Sequence, residues 1–99
     1  LPGTAASAGD ARLMSAHPNP SRDGFTIRFA TGAPGPVAVA IFDAAGRRVR
    51  TLRSLPAGGS REARWDGRDE AGAECGPGLY FARLPGREAT RSVRLLRVR

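Results

Sequence analysis

Lysine is absent from these 99 residues, and all 16 basic positions are arginine. That excludes Schiff-base catalysis through a lysine amine and an internal Lys–Asn isopeptide crosslink. Cysteine and histidine occur once each. Cys75 therefore has no partner for an internal disulfide, and with His17 alone there is no zinc ligand set and no Cys–His pair close in sequence. Cys75 reads as an incidental thiol in a polar loop, open at most to an intermolecular disulfide. Long apolar runs are missing too, and none approaches the roughly 18 residues needed to cross a membrane. Nor does any stretch carry a 3.6-residue apolar stripe, which argues against helices.

What is present is a small, turn-rich, basic chain. Gly (13) and Pro (8) favour many turns, and one domain of this size buries about 60–65 % of its unfolded surface, so its core is thin. Against the arginines stand 9 acids, for a net charge of +7. Such an excess can mark a surface for phosphate, nucleic acid or acidic glycans. Here the arginines are scattered without interleaved aromatics, as in a GC-rich genome that writes arginine for lysine, and no specific nucleic-acid partner is expected. Residues 1–10, LPGTAASAGD, are small and aperiodic; they read as a linker or extended tail ahead of a domain over 11–99. That tail shows no secretory leader, so Leu1 reads as a processed terminus or the start of a fragment.

From Ala11 the chain alternates with period two between frequent turn signals. A first strand over Arg12–His17 is stopped by Pro18-Asn19-Pro20, a rigid corner that carries the chain to the other sheet. In "GFTIRFAT" (24–31) Phe25, Ile27 and Phe29 share the inner face, and in "VAVAIFD" (37–43) Val37, Val39 and Ile41 do. Asp43 caps the following turn with its carboxylate while Gly46 supplies the positive φ that closes it. "RRVRTLRSL" (47–55), "SREARWD" (60–66), "GLYFARL" (78–84) and "ATRSVRLLRV" (89–98) complete the set. Seven short strands with turns every roughly 8–12 residues predict a seven-stranded immunoglobulin-like, fibronectin-III-like β-sandwich.

The stretch "WDGRDEAGAECGPGLY" (65–80) puts Asp66, Asp69, Glu70 and Glu74 within nine positions. Trp65 and Tyr80 at its ends face the core, and a buried Trp65 needs a partner for its indole N–H. Asp66-Gly67 and Asp69 to Gly72 read as paired turn formers, and Gly76, Pro77 and Gly78 aim the chain into the next strand. The ligand reading is a Ca²⁺ site on Asp66, Asp69 and Glu74, although the spacing is not that of an EF-hand loop. The last strand offers a second candidate, a partner-binding set of Arg91, Arg94, Leu95, Leu96, Arg97 and Val98. Its apolar residues break strict alternation, and a bulge near Leu95-Leu96 would restore the faces. It reads either as a charged, protected edge or as a recognition strand that a partner joins by β-addition.

The segments "HPNPSRDGFTIRF", "VAVAIFDAAGRRVRTL", "LPAGGSREARWDGRDEAGAECGPGLYFARL" and "ATRSVRLLR" follow in order with short gaps. Together they resemble the Ig-like C-terminal domain of bacterial secreted proteins, known as the Ig-like domain of flagellar hook-capping proteins or the type A sorting domain of type IX secretion. The resemblance covers about residues 13–98. It implies a non-enzymatic module at the end of a secreted or cell-surface protein, which directs export and anchoring and has the secretion machinery, or other copies of itself, as protein partners. The same resemblance leaves room for a structural subunit of an extracellular assembly, paired through the tail or the last strand. A Ca²⁺-dependent or carbohydrate-binding module is the third expectation, and no other cofactor is implied.

Overall fold

The computed structural model describes residues 11–31, 37–57, 60–84 and 92–99. Eight strands are present there: β1 Ala11–His17, β2 Phe25–Thr31, β3 Ala38–Asp43, β4 Arg48–Arg53, β5 Leu55–Ala57, β6 Ser60–Trp65, β7 Gly78–Arg83 and β8 Ser92–Arg97. They form two four-stranded sheets, in the orders β1-β2-β6-β5 and β4-β3-β7-β8. Every pair within them is antiparallel. This is the Ig-like sandwich that the alternation predicts. The segment 1–10 and Arg91 lie outside the described residues.

The inward positions of facing strands meet between the sheets. Phe25, Ile27 and Phe29 of β2 are fully buried, as are Val39 and Ile41 of β3, Trp65 of β6 and Leu95 of β8. Phe25 and Trp65 are register partners. Their rings stack at 5.9 Å, and the Tyr80 ring meets Trp65 edge-on at 5.1 Å. These three rings carry much of a thin core, because aromatic pairs add to their area burial.

The expected strand over 47–55 is continuous in sequence but belongs to both sheets. β4 pairs with β3, and β5 pairs with β6. Between them Ser54, only 1 % exposed, is the corner. Its N–H donates to Val37 O at 2.9 Å, and its Oγ accepts from Val37 N–H at 3.0 Å. A buried backbone N–H needs such a partner where the ladder changes sheet.

The irregularities fall elsewhere than predicted. No bulge lies at Leu95-Leu96, and β8 stays in unbroken register with β7 from Ser92 to Arg97. The register shifts are between Leu13 and Ser15 in β1 and at Ile41/Phe42 on β3 against β4. Alternation along β8 survives because Arg97 takes the inward place that an apolar residue was expected to fill.

Ser54→Ala leaves the Val37 N–H buried without an acceptor, at a cost of about 1–3 kcal/mol. Thermal melts should show Ser54→Ala well below wild type and Ser54→Thr close to it. Equal melts for Ser54→Ala and wild type would remove Ser54 from its role at the corner.

Candidate functional site

The four acids of the 66–74 loop each have a separate use. Asp66 Oδ1 accepts from the Arg50 guanidinium at 3.1 Å and from the Arg68 N–H at 3.0 Å. Asp69 Oδ1 accepts from the N–H groups of Ala71 and Ala73. Glu70 lies along the outer edge of β4: its N–H donates to Val49 O at 3.1 Å, and its carboxylate accepts from Thr51 N–H at 2.7 Å. Glu74 approaches Arg97 at 3.7 Å. Among the described residues no three His, Cys, Asp or Glu side chains are grouped to hold a metal ion. Asp66, Asp69 and Glu74 are thus not brought together.

Asp43 and Asp69 head the same local structure. In each, Oδ1 accepts from the N–H groups two and four residues on, and the glycine three residues on has φ near +90°. The sequences "DAAGR" and "DEAGA" carry the match. Hydrogen bonding to the Arg47 N–H is the main cause that holds the Asp43 carboxyl below its usual range.

The loop is anchored to the core at three points. Arg68 O accepts from the Trp65 indole Nε1–H at 3.0 Å and from Arg50 at 2.9 Å. Tyr80 OH donates to Gly76 O at 2.7 Å. The Arg97 guanidinium, on a side chain 8 % exposed, donates to Cys75 O and lies against Gly67. A Cβ on Gly67 would stand 2.7 Å from Arg97 Nε. That nitrogen has no hydrogen-bond partner. Burial raises the Tyr80 phenol and the Cys75 thiol above their ordinary values. The protonated thiol is a poor nucleophile at neutral pH.

The partner-binding set on β8 is divided by the fold. Leu95 is in the core and Arg97 is under the loop, so neither is available to a partner. Arg94, Leu96 and Val98 face outward. The edge itself is occupied. The Asn19 side-chain amide donates to Arg94 O at 2.7 Å and accepts from Leu96 N–H at 2.9 Å. Ser21 continues the imitation of a strand: its N–H donates to Leu96 O, and its O accepts from Val98 N–H, both at 3.0 Å. Pro18-Asn19-Pro20 does not carry the chain to the other sheet, since β1 and β2 pair within one; Pro18 and Pro20, each after a cis peptide, flank Asn19 where the connection meets the β8 edge. β-Addition along Arg94–Val98 would have to displace it.

Nothing local in the sequence marks Asn19 as an edge partner or gives the roles of Ser21, Glu70, Arg50 and Arg97. An acid or amide between turn formers was the available signal. Its partner lies as far as 77 residues away, as for Asn19 and Leu96, and no local pattern fixes that pairing.

Gly67→Ala and Gly72→Ala both place an L side chain at positive φ, but only the first also meets Arg97. We expect Gly72→Ala to cost roughly 1 kcal/mol and Gly67→Ala about 1 kcal/mol more, because the Arg97 guanidinium must shift from its bond to Cys75 O, read from denaturant midpoints. Equal costs would mean that Arg97 does not rest on Gly67. Tyr80, the one tyrosine, gives a second test. Its raised folded pKa means that its contribution is fully present below the unfolded value of about 10 and is lost as pH rises through the folded one. Ultraviolet titration should show phenolate only above that ordinary value in the folded chain. Ionisation at the ordinary value would contradict the burial of the Tyr80 phenol.

Residues 21–87, more than half of the chain, match the family model of the FlgD Ig-like domain. Among solved structures the chain is similar to dimeric latent PorU from Porphyromonas gingivalis, at 27 % identity and a TM-score of 0.70, over 89 % of this chain and 9 % of that one. It is also similar to PorZ of the same bacterium, described as an essential bacterial surface component of the type-IX secretion system. There the identity is 25 % and the TM-score 0.58, over 98 % of this chain and 12 % of PorZ. The chain therefore spans a small fraction of either protein. No curated protein sequence matches it. On the family match and the shared sandwich, the chain belongs to the FlgD Ig-like domain family.

Proposed function

We propose that this domain is a non-enzymatic sorting and anchoring module of a secreted bacterial protein, recognised by a protein of the type IX secretion machinery. The observation that carries the reading is the similarity, over nearly the whole chain, to part of PorU and part of PorZ. The site geometry supports it. The residues of the acidic loop are spent on each other, on the sheet edge and on the core, as a scaffold would spend them. Secretion or cell-surface location follows from the same reading. Assembly by strand pairing through β8 is the weaker alternative, because Asn19 and Ser21 already occupy that edge.

The test fuses residues 11–99 to the C-terminus of a reporter with a leader, in a bacterium that has type IX secretion. The reporter should reach the cell surface, and a strain lacking the machinery should retain it in the periplasm. Periplasmic retention in both strains would contradict the proposal.

A further inference from the structure

Among the described side chains the two outer faces of the sandwich differ. On the β1-β2-β6-β5 sheet Arg28 meets Glu62 at 2.9 Å, and Arg64 donates to Thr26. On the β4-β3-β7-β8 sheet the outward residues include an apolar group. Phe42 and Phe81 are cross-strand neighbours, as are Leu79 and Leu96. Leu79, Leu96 and Val98 are the exposed large apolar side chains among the described residues, at 37, 42 and 37 %. Leu79 and Leu96 are on this face, and with the two half-buried phenylalanines they make one apolar stripe. Monomeric domains seldom leave such a stripe uncovered without a use.

Arginine surrounds the stripe. Arg48 is opposite Phe42, and Arg94 is opposite Phe81. Arg83 follows Phe81 on the same face, and its guanidinium lies 5.1 Å from the centre of the Phe42 ring. No carboxylate is on the strands' outward positions here, and among the described residues Arg48, Arg83 and Arg94 make no ion pair. Phenylalanine and arginine are enriched in protein interfaces, and Asp and Glu are depleted there.

We infer that this face is a docking surface for a protein partner that presents an apolar centre ringed by carboxylates. The inference rests on the proposal that the domain is recognised by a protein, and it names the face and the partner's chemistry. A second copy is the wrong occupant, since it would set arginine against arginine on chains of net charge +7. An anionic membrane is also a poorer fit. The phenylalanines lie half-buried on the sheet, and membrane-surface elements instead push aromatic side chains into the acyl boundary. A face-on partner also leaves undisturbed the β8 edge that Asn19 and Ser21 occupy.

The experiment replaces Leu96 with photoreactive benzoylphenylalanine in the reporter fusion and irradiates intact cells, with export scored in the same cultures. The expected result is a crosslink to a heterologous protein with an acidic contact surface, reduced about tenfold or more by Arg83→Glu with Arg94→Glu. Arg64→Glu on the opposite face should leave the yield unchanged. Absence of a crosslink, a crosslinked homodimer, or a yield indifferent to the double reversal would overturn the inference. So would co-sedimentation of the purified domain with phosphatidylglycerol vesicles in place of a protein crosslink. Export without the charge-dependent crosslink would leave sorting standing and remove the face; the crosslink without export would do the opposite.

Discussion

A sandwich of two open sheets has edges, and each edge strand carries a row of N–H and C=O groups that another chain can pair with. In this domain both edges of the β4-β3-β7-β8 sheet are met by polar groups from loops. Asn19 satisfies Arg94 O and Leu96 N–H with one amide, and Glu70 satisfies Val49 O and Thr51 N–H with its backbone and carboxylate. Each spans the outward groups of one edge strand as a ninth strand would. The placement of the 66–76 loop and of the Pro18–Ser21 segment follows from that requirement.

The loop does more than close an edge. Its backbone supplies the acceptor for the Trp65 indole at Arg68 O, for Tyr80 at Gly76 O and for Arg97 at Cys75 O. A polar loop thereby lets three large amphipathic side chains be buried in a core that few aromatics fill. A buried polar tip without a partner costs more than its hydrogen bond gains, which is why loop and core cannot be altered separately. With both edges of the β4-β3-β7-β8 sheet and the loop committed inward, its outer face is what a partner can reach there, and that face carries the exposed leucines.

Much of this was legible in the sequence. Period-two runs such as Phe25, Ile27, Phe29 and Val37, Val39, Ile41 give the sandwich and its inner faces directly, because alternation is geometry. The turn chemistry of Asp43 and Gly46 was legible for the same reason, being local. Less so was anything that joins distant segments. The strand over 47–55 hid a sheet change at Ser54, and β8 hid an arginine at an inward position, since a charge there usually signals solvent. The candidate Ca²⁺ acids looked like a group in one dimension, and in three they point to Arg50, to their own turn and to Arg97.

The closure of β8 is most directly tested by amide hydrogen exchange at Leu96, followed by NMR in the wild type and in Asn19→Ala. A bond from Leu96 N–H to Asn19 Oδ1 predicts slow exchange in the wild type and fast exchange in the variant, with the core amide of Leu95 slow in both. Fast exchange at Leu96 in the wild type would mean that the edge is open, and that a partner can enter by strand addition after all.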